Sequence, residues 1–84
     1  MVNHINPFNM LDDLMQRNYL ITILKVKDDG ATYYRVAIPD LPGLVIYVDA
    51  WEDIATELRA AKGEWFFARL QEHKNIPLPT TGGK

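Results

Sequence analysis

A turn-forming tripeptide between two runs of strand-forming residues constrains the fold of this chain more than any other feature. The runs are YLITILKV at 19–26 and TYYRVAI at 32–38, and Asp28-Asp29-Gly30 lies between them. β-Branched and aromatic residues favour strands, and an Asp-Gly pair favours the tight turn of a two-strand hairpin. The sequence therefore predicts an antiparallel β-hairpin in the first half of the chain.

The two predicted strands differ in how their side chains alternate between the faces of the sheet. In the second strand we expect one face to meet the core and the other to point away. The core face carries Thr32, Tyr34, Val36 and Ile38, and the opposite face carries Tyr33, Arg35 and Ala37. The first strand is apolar on both faces, which predicts cover on both sides of the sheet. We expect the N-terminal helix or a second subunit to supply that cover.

The rest of the chain predicts one more strand and two helices. Apolar residues at helical spacing predict a short helix over 7–17, and a third strand is expected at 44–48. Asp49 is expected to cap a long amphipathic helix over 51–73, because a carboxylate accepts hydrogen bonds from the first free backbone amides. Gly63 lies inside this helix and indicates a close approach to the sheet.

These elements combine into a single α+β domain over residues 1–84 with the order α-β-β-β-α. We expect two layers, an antiparallel three-stranded sheet and a long C-terminal helix, with a short N-terminal helix added. The tail segment Ile76-Pro77-Leu78-Pro79 offers at most a brief fourth strand at a sheet edge, because each proline removes a ladder donor.

A proline-rich loop joins the second and third strands. Its residues are Ile38, Pro39, Asp40, Leu41, Pro42 and Gly43. Pro42 and Gly43 suit the central pair of a type II turn, and Asp40 is expected to accept hydrogen bonds from backbone amides of the same loop. We interpret the loop as a rigid connection rather than the rim of an active site.

The reactive side chains of the sequence predict no catalysis. Cysteine and serine are both absent, which removes the two commonest acyl-transfer nucleophiles. His4 and His73 are far apart in sequence and have no partner at metal-ligand spacing, so we expect both to be exposed. Asp40 is a single carboxylate rather than a catalytic pair. We therefore predict a protein that is not an enzyme and has no metal site and no cofactor.

Charge and hydropathy narrow the range of partners. Nine basic and eleven acidic residues give a net charge of -2, so no positive excess indicates nucleic acid or an anionic membrane. No apolar stretch approaches the about 20 residues of a membrane span, and the N-terminus does not resemble a signal peptide. We expect a cytoplasmic protein that does not bind membranes.

Three segments carry a family resemblance. They are the loop at 38–43, the helix start WEDIA at 51–55 and the tail segment IPLP at 76–79. In this arrangement the chain resembles, over about residues 19–79, the HicB family of antitoxins from prokaryotic type II toxin–antitoxin systems. The resemblance implies a domain similar to a partial ribonuclease H fold. It also implies binding to a small basic HicA-like toxin that cleaves messenger RNA, and assembly into dimers or larger oligomers.

The chain departs from the family pattern at two places. The family usually has Gly-Asp-Thr before the helix, whereas this chain has Val48-Asp49-Ala50, which keeps the acidic cap. The chain also ends soon after Pro79, without the DNA-binding module that many members carry. No direct DNA binding is therefore expected.

Tyr33, Arg35 and Tyr47 are the candidate partner-binding residues. Aromatic and arginine side chains are favoured at protein interfaces, and an acidic protein complements a basic partner. The same three side chains would serve equally well as a surface buried under the N-terminal helix. The sequence leaves both interpretations open.

Three other functions compete with an antitoxin. A double-stranded-RNA-binding domain has the same order of elements, but it needs lysines at the start of its second helix, where this chain has Glu52 and Asp53. An orphan oligomeric interaction domain is a further alternative. A ribonuclease H-like enzyme would need several converging carboxylates to hold magnesium, and the predicted strands carry none.

Overall fold

The computed structural model describes residues 7–80 and has the predicted α+β architecture. The elements are α1 (Pro7–Met15), β1 (Thr22–Asp28), β2 (Ala31–Ala37), β3 (Val45–Val48) and α2 (Ile54–Gln71). A short 3-10 turn at Trp51–Asp53 leads into α2. The predicted order and fold class are confirmed. The largest shifts are at β1, which begins at Thr22 rather than at residue 19, and at α2, which begins at Ile54 rather than at residue 51.

The three strands form one antiparallel sheet in the order β1-β2-β3. Ile23 of β1 lies opposite Val36 of β2, and Arg35 of β2 lies opposite Tyr47 of β3. The hairpin turn has positive φ at both central residues, 51° at Asp29 and 79° at Gly30. That is the type I′ conformation, which matches the twist of the strands it joins. Because the order is sequential, β1 and β3 are the two edges of the sheet.

The even-numbered face of β2 meets the core as predicted. Val36 is fully buried, and Tyr34 packs against the same cluster. Side chains from both helices and from the proline-rich loop complete this core. Its buried members are Leu14, Tyr19, Val36, Ile38, Leu41, Leu44, Val48, Ile54, Leu58 and Phe66.

The expectation that α1 covers the first strand is wrong. Instead, α1 packs against α2, and the Lys62 ammonium group of α2 donates to the carbonyl oxygen of Met15 at 3.3 Å. The apolar side chains just before β1 and at its beginning stay exposed: Leu20 by 47 %, Ile21 by 42 %, Ile23 by 42 % and Leu24 by 58 %. The sequence indicated two possible sources of cover for the first strand, the N-terminal helix and a second subunit. Since α1 packs elsewhere, a second subunit is the remaining source.

Tyr19 explains why β1 starts late. Its ring is buried beside Phe66, with the ring centroids 6.0 Å apart, and its hydroxyl donates to the carbonyl oxygen of Pro77. The side chain therefore ties the N-terminal approach of β1 to α2 and to the tail. This tertiary contact outweighs the local preference of Tyr19 for a strand.

The possible fourth strand does not form. Residues 74–80 contain no strand, and the tail is held by side chains instead. The Arg69 guanidinium donates to the carbonyl oxygen of Asn75 at 3.3 Å, and Ile76 packs against the core. Pro77 and Pro79 lack the amide hydrogens that a strand would need on a sheet edge.

The acidic cap expected at Asp49 does not form either. Ala50 precedes the 3-10 turn, and neither that turn nor α2 has a side-chain cap hydrogen bond. The turn itself satisfies a leading amide, because the Asp53 N–H donates to the carbonyl oxygen of Ala50 at 3.1 Å. Asp49 stays exposed.

Two expectations about α2 have opposite outcomes. A Cβ at Gly63 would meet no atom within 4 Å, so the predicted close approach to the sheet is wrong. His73 is exposed as expected and ends the helix with a positive φ of 56°. His4 lies outside the described residues.

Neither described helix combines the length and apolarity that crossing a membrane requires.

Candidate protein-binding surface

The proline-rich loop has the predicted turn geometry. The Leu44 N–H donates to the carbonyl oxygen of Leu41 at 3.0 Å, and Gly43 between them has a φ of 85°. These are the features of a type II turn with Pro42 and Gly43 at its centre. Ile38 and Leu41 point inward and are among the most buried side chains of the described residues.

Asp40 has a different partner from the predicted one. Its carboxylate accepts from the Thr80 backbone N–H at 3.0 Å and from the Thr80 hydroxyl at 3.0 and 3.2 Å. Asp40 was expected to accept from backbone amides of its own loop, but two consecutive turns already use some of them. In the first turn the Leu41 N–H donates to the carbonyl oxygen of Ile38 at 2.9 Å, and in the second the Leu44 N–H donates to the carbonyl oxygen of Leu41. The carboxylate is thus free to hold the tail.

The loop is also attached to α2. The Trp65 indole N–H donates to the carbonyl oxygen of Pro42 at 3.0 Å, and the Arg69 guanidinium lies 4.4 Å from the centre of the Trp65 ring. Together with the Asp40 contact, this hydrogen bond links the sheet, α2 and the tail through one short segment. The contacts favour the interpretation of the loop as a rigid connection.

Tyr33, Arg35 and Tyr47 come together on the sheet face that points away from the core. Arg35 and Tyr47 are directly opposite on neighbouring strands. The rings of Tyr33 and Tyr47 meet edge to face, with centroids 6.1 Å apart and an angle of 63° between the planes. We call this surface the open face. By strand register it consists of Thr22, Leu24, Val26, Asp28, Ala31, Tyr33, Arg35, Ala37, Val45 and Tyr47.

The open face is largely apolar and partly accessible. Tyr47 is 65 % exposed, while Tyr33 and Arg35 are half-buried against their neighbours. No side chain of the open face belongs to the buried core cluster, which takes its β2 and β3 members from the other face. The contact partner of α1 is α2, so these three residues are not held under the N-terminal helix.

A groove on the other side of β1 was not predicted from the sequence. Its volume is about 500 Å³. The lining residues are Ile21, Ile23, Trp51, Glu52, Ile54, Ala55 and Leu58. Trp51 is 60 % exposed at this groove and meets the ring of Tyr34 edge to face, with centroids 5.6 Å apart. The one feature of the sequence that indicates uncovered surface here is the apolar character of both faces of the first strand. That feature does not locate the groove.

Titratable groups are dispersed over the surface of the described residues. In residues 7–80, no three histidine, aspartate or glutamate side chains come close enough to hold a metal ion together. Lys62 of α2 is half-buried at the contact with α1. Burial lowers the pKa of its ammonium group, and the positive charge of Arg59 lowers it further. This lysine contacts α1 and lies away from the open face.

Comparisons with protein-family models, with curated proteins and with solved structures give no match to this chain.

Proposed function

We propose that this chain is a cytoplasmic, antitoxin-like binding protein of the HicB kind and is not an enzyme. It neutralises a small basic HicA-like ribonuclease toxin by covering the toxin's active surface. The observation that carries the proposal is the open face, where Tyr33, Arg35 and Tyr47 are adjacent on a sheet with little other cover. The resemblance in residues 38–43, 51–55 and 76–79 supplies the family.

The composition of the open face supports protein binding. Tyrosine and arginine are the side chains most often found at the energetic centre of protein interfaces. Arg35 is half-buried and lies opposite Tyr47 in the register, and Tyr33 and Tyr47 restrain each other through their ring contact. Restrained side chains lose less conformational entropy on binding, so more of the contact energy becomes affinity.

The charge around the open face supports a basic partner. Because β1 and β3 both run toward the hairpin turn, their acidic ends lie at the same end of the sheet. Asp28, Asp29 and Asp49 are exposed there, close along the strands to Tyr33. Negative charge beside an apolar surface attracts a basic protein and orients it before contact.

The direct test is co-expression with the small basic ribonuclease encoded beside the gene for this chain. We expect the wild-type chain to restore growth and to form a purified complex with the ribonuclease. Tyr47→Ala and Arg35→Ala should each weaken binding at least about 10-fold, as expected for residues at the centre of an interface.

Matched controls replace an arginine and an aromatic residue by alanine at positions away from the open face. Arg59→Ala removes an exposed arginine of α2, and Trp51→Ala removes an exposed aromatic ring at the groove. Both controls should retain neutralisation. A wild-type chain that fails to neutralise its neighbour, or controls that fail as badly as the open-face variants, would contradict the proposal.

A double-stranded-RNA-binding module is the second candidate, because the confirmed element order α-β-β-β-α also occurs in that class. The start of α2 argues against it. Glu52 and Asp53 occupy the preceding turn and Glu57 the first turn of α2, where such a module presents lysines to phosphates. Tight binding of duplex RNA that weakens steeply with salt would favour this candidate over the antitoxin.

A further inference from the structure

The segment that leads into β1 and forms its first three residues has a self-complementary sequence. Leu20-Ile21-Thr22-Ile23-Leu24 reads the same in both directions. Two antiparallel copies of such a segment, centred on Thr22, would bring like side chains together at every position. The four apolar residues of this segment are the exposed ones at the β1 edge. Ile21 and Ile23 lie on the side of the sheet away from the open face, whereas Leu24 is shared with it.

The backbone of this edge is available for pairing. In a hairpin with a two-residue turn, the residues that close the turn exchange hydrogen bonds, and bonded and non-bonded pairs then alternate along the strands. Asp28 and Ala31 close the turn here, so Thr22 and Leu24 direct their amides and carbonyls toward β2. Ile23 and Lys25 direct theirs outward. The edge therefore presents free donors and acceptors beside exposed apolar side chains, which is a template for another strand.

We infer that two copies of this chain pair through Leu20–Leu24, antiparallel and around a two-fold axis at Thr22. Leu20 and Ile21, which precede β1, extend the strand in each copy, and the two sheets become one continuous six-stranded sheet. In this register Ile23 lies opposite Ile21 of the second copy, and Leu24 lies opposite Leu20. The outward-pointing groups of Ile23 meet those of Ile21. Thr22 faces Thr22 of the second copy as a pair without backbone hydrogen bonds, in which the two Cα atoms are about 4.5 Å apart.

Charge disfavours a register centred further along β1, at Lys25. A two-fold axis at Lys25 would place two ammonium groups directly opposite each other, which destabilises a strand pair. With the axis at Thr22, each Lys25 lies six positions along the strand from its symmetry mate, a separation of about 20 Å. Lys25 and Lys27 then protect the rest of the edge from further pairing, as lysines on edge strands commonly do.

The pairing covers both faces of β1 at once. Ile21 and Ile23 lie on the α2 side, so the same residues of the second copy extend the groove beside Trp51. Leu20 and Leu24 lie on the other side and extend the open face. The second copy thus supplies the cover that α1 does not give.

The register is tested by cross-linking. The chain contains no cysteine, so Thr22→Cys introduces a single thiol. In the inferred dimer the two thiols face each other at a Cα separation of about 4.5 Å, within the range of a disulfide. Lys25→Cys is the matched control on the same exposed edge. Mild oxidation should convert Thr22→Cys to a covalent dimer at least about 10-fold faster than Lys25→Cys. Equal rates, or faster cross-linking of Lys25→Cys, would overturn the register.

Self-association is tested by sedimentation equilibrium of the unmodified chain. We expect a reversible monomer–dimer equilibrium, and Leu24→Lys should raise the dimer dissociation constant by about 100-fold or more, because it places a charge in an apolar contact. Leu78→Lys makes the same change at a side chain that is 68 % exposed in the tail, and it should leave the equilibrium unchanged. A chain that stays monomeric at millimolar concentration would overturn the inference, and the β1 edge would then be available to a strand of another protein. Equal weakening by the two lysine variants would also overturn the inference.

Discussion

Gly63 shows how a residue's environment decides the effect of changing it. It lies within the helical span of α2, and no atom lies within 4 Å of the position that a Cβ would occupy. Glycine in a helix interior is about 1 kcal/mol less favourable than alanine. We expect Gly63→Ala to stabilise the chain by about 0.5–1 kcal/mol, seen as a rise of the thermal midpoint of several degrees by circular dichroism.

The reverse change serves as the control for Gly63. Ala68 is exposed in the same helix, and Ala68→Gly should destabilise by a similar amount. If Gly63→Ala lowered stability only at concentrations where the chain is dimeric, the glycine would be needed for a close approach between copies. That result would place an interface at α2, whereas destabilisation at every concentration would contradict the free space found around Gly63 within one copy.

Asp40 gives a second prediction at the residue scale. Its contact with Thr80 is a hydrogen bond of a carboxylate with a backbone amide and a hydroxyl, partly open to water. We expect Asp40→Ala to lower the free energy of unfolding by about 1 kcal/mol in urea titrations, the usual size for such a bond. Asp12→Ala, at an exposed position in α1, should change it by less than about 0.5 kcal/mol. Equal effects of the two substitutions would show that the Thr80 contact adds nothing.

At the scale of elements, sequence pattern predicts what is local and misses what is not. The type I′ hairpin turn follows from Asp29 and Gly30, whose positive φ angles that turn requires. The second strand is equally clear, since Val36 and Ile38 alternate into the core. The start of β1 and the shape of the tail are set instead by Tyr19, which joins Phe66 and Pro77 across more than 45 residues. No local pattern encodes such a contact.

The packing of α1 on α2 gives a pH-dependent prediction through Lys62. Burial holds the pKa of its ammonium group below 10.5, so the folded chain releases this proton before the unfolded chain does. Between the two pKa values the unfolded chain binds more protons, and stability therefore rises with pH. Relative to Lys62→Met, the wild type should gain stability as the pH increases from neutral toward 10.5. Urea titrations of both proteins at several pH values measure this difference.

Lys27→Met is the control for removing one positive charge in the Lys62 experiment. Lys27 is exposed and lies one residue before Asp28, which closes the hairpin turn. A pH-dependent gain of the same size relative to Lys27→Met would assign the effect to net charge rather than to burial of Lys62. An unchanged difference between wild type and Lys62→Met across the window would contradict the burial itself.

At the scale of the whole molecule, two surfaces remain to be covered, and they were predictable to different degrees. Tyr33, Arg35 and Tyr47 were predictable as a group because aromatic and arginine residues alternate onto one face of adjacent strands. The groove at Trp51 was not, because it depends on where the 3-10 turn places an indole ring against Tyr34. Strand alternation is a local property, whereas a groove needs the packing of two layers.

The symmetry of the inferred dimer couples these two surfaces and predicts a stoichiometry. Strand pairing around a two-fold axis perpendicular to the sheet keeps each face on its own side, because residues of the same parity meet. Both open faces would then point the same way, each with its own Tyr33, Arg35 and Tyr47. We expect the dimer to bind two toxin molecules, and light scattering of the purified complex should give the mass of two copies of each chain.

Leu24→Lys separates the two proposals within this complex. The Leu24→Lys complex should contain one copy of this chain and one toxin molecule. Its toxin affinity per site should fall less than that of Tyr47→Ala, because Tyr47 lies at the centre of the open face and Leu24 on its outer strand. A complex of two copies of this chain with a single toxin would mean that the copies obstruct each other, which contradicts the side-by-side arrangement. Toxin binding that requires the dimer would be lost in Ile23→Lys, whose side chain lies on the groove side of the sheet, as well as in Leu24→Lys, while Leu78→Lys retains it. That result would place the toxin across the two-fold axis instead of on each open face.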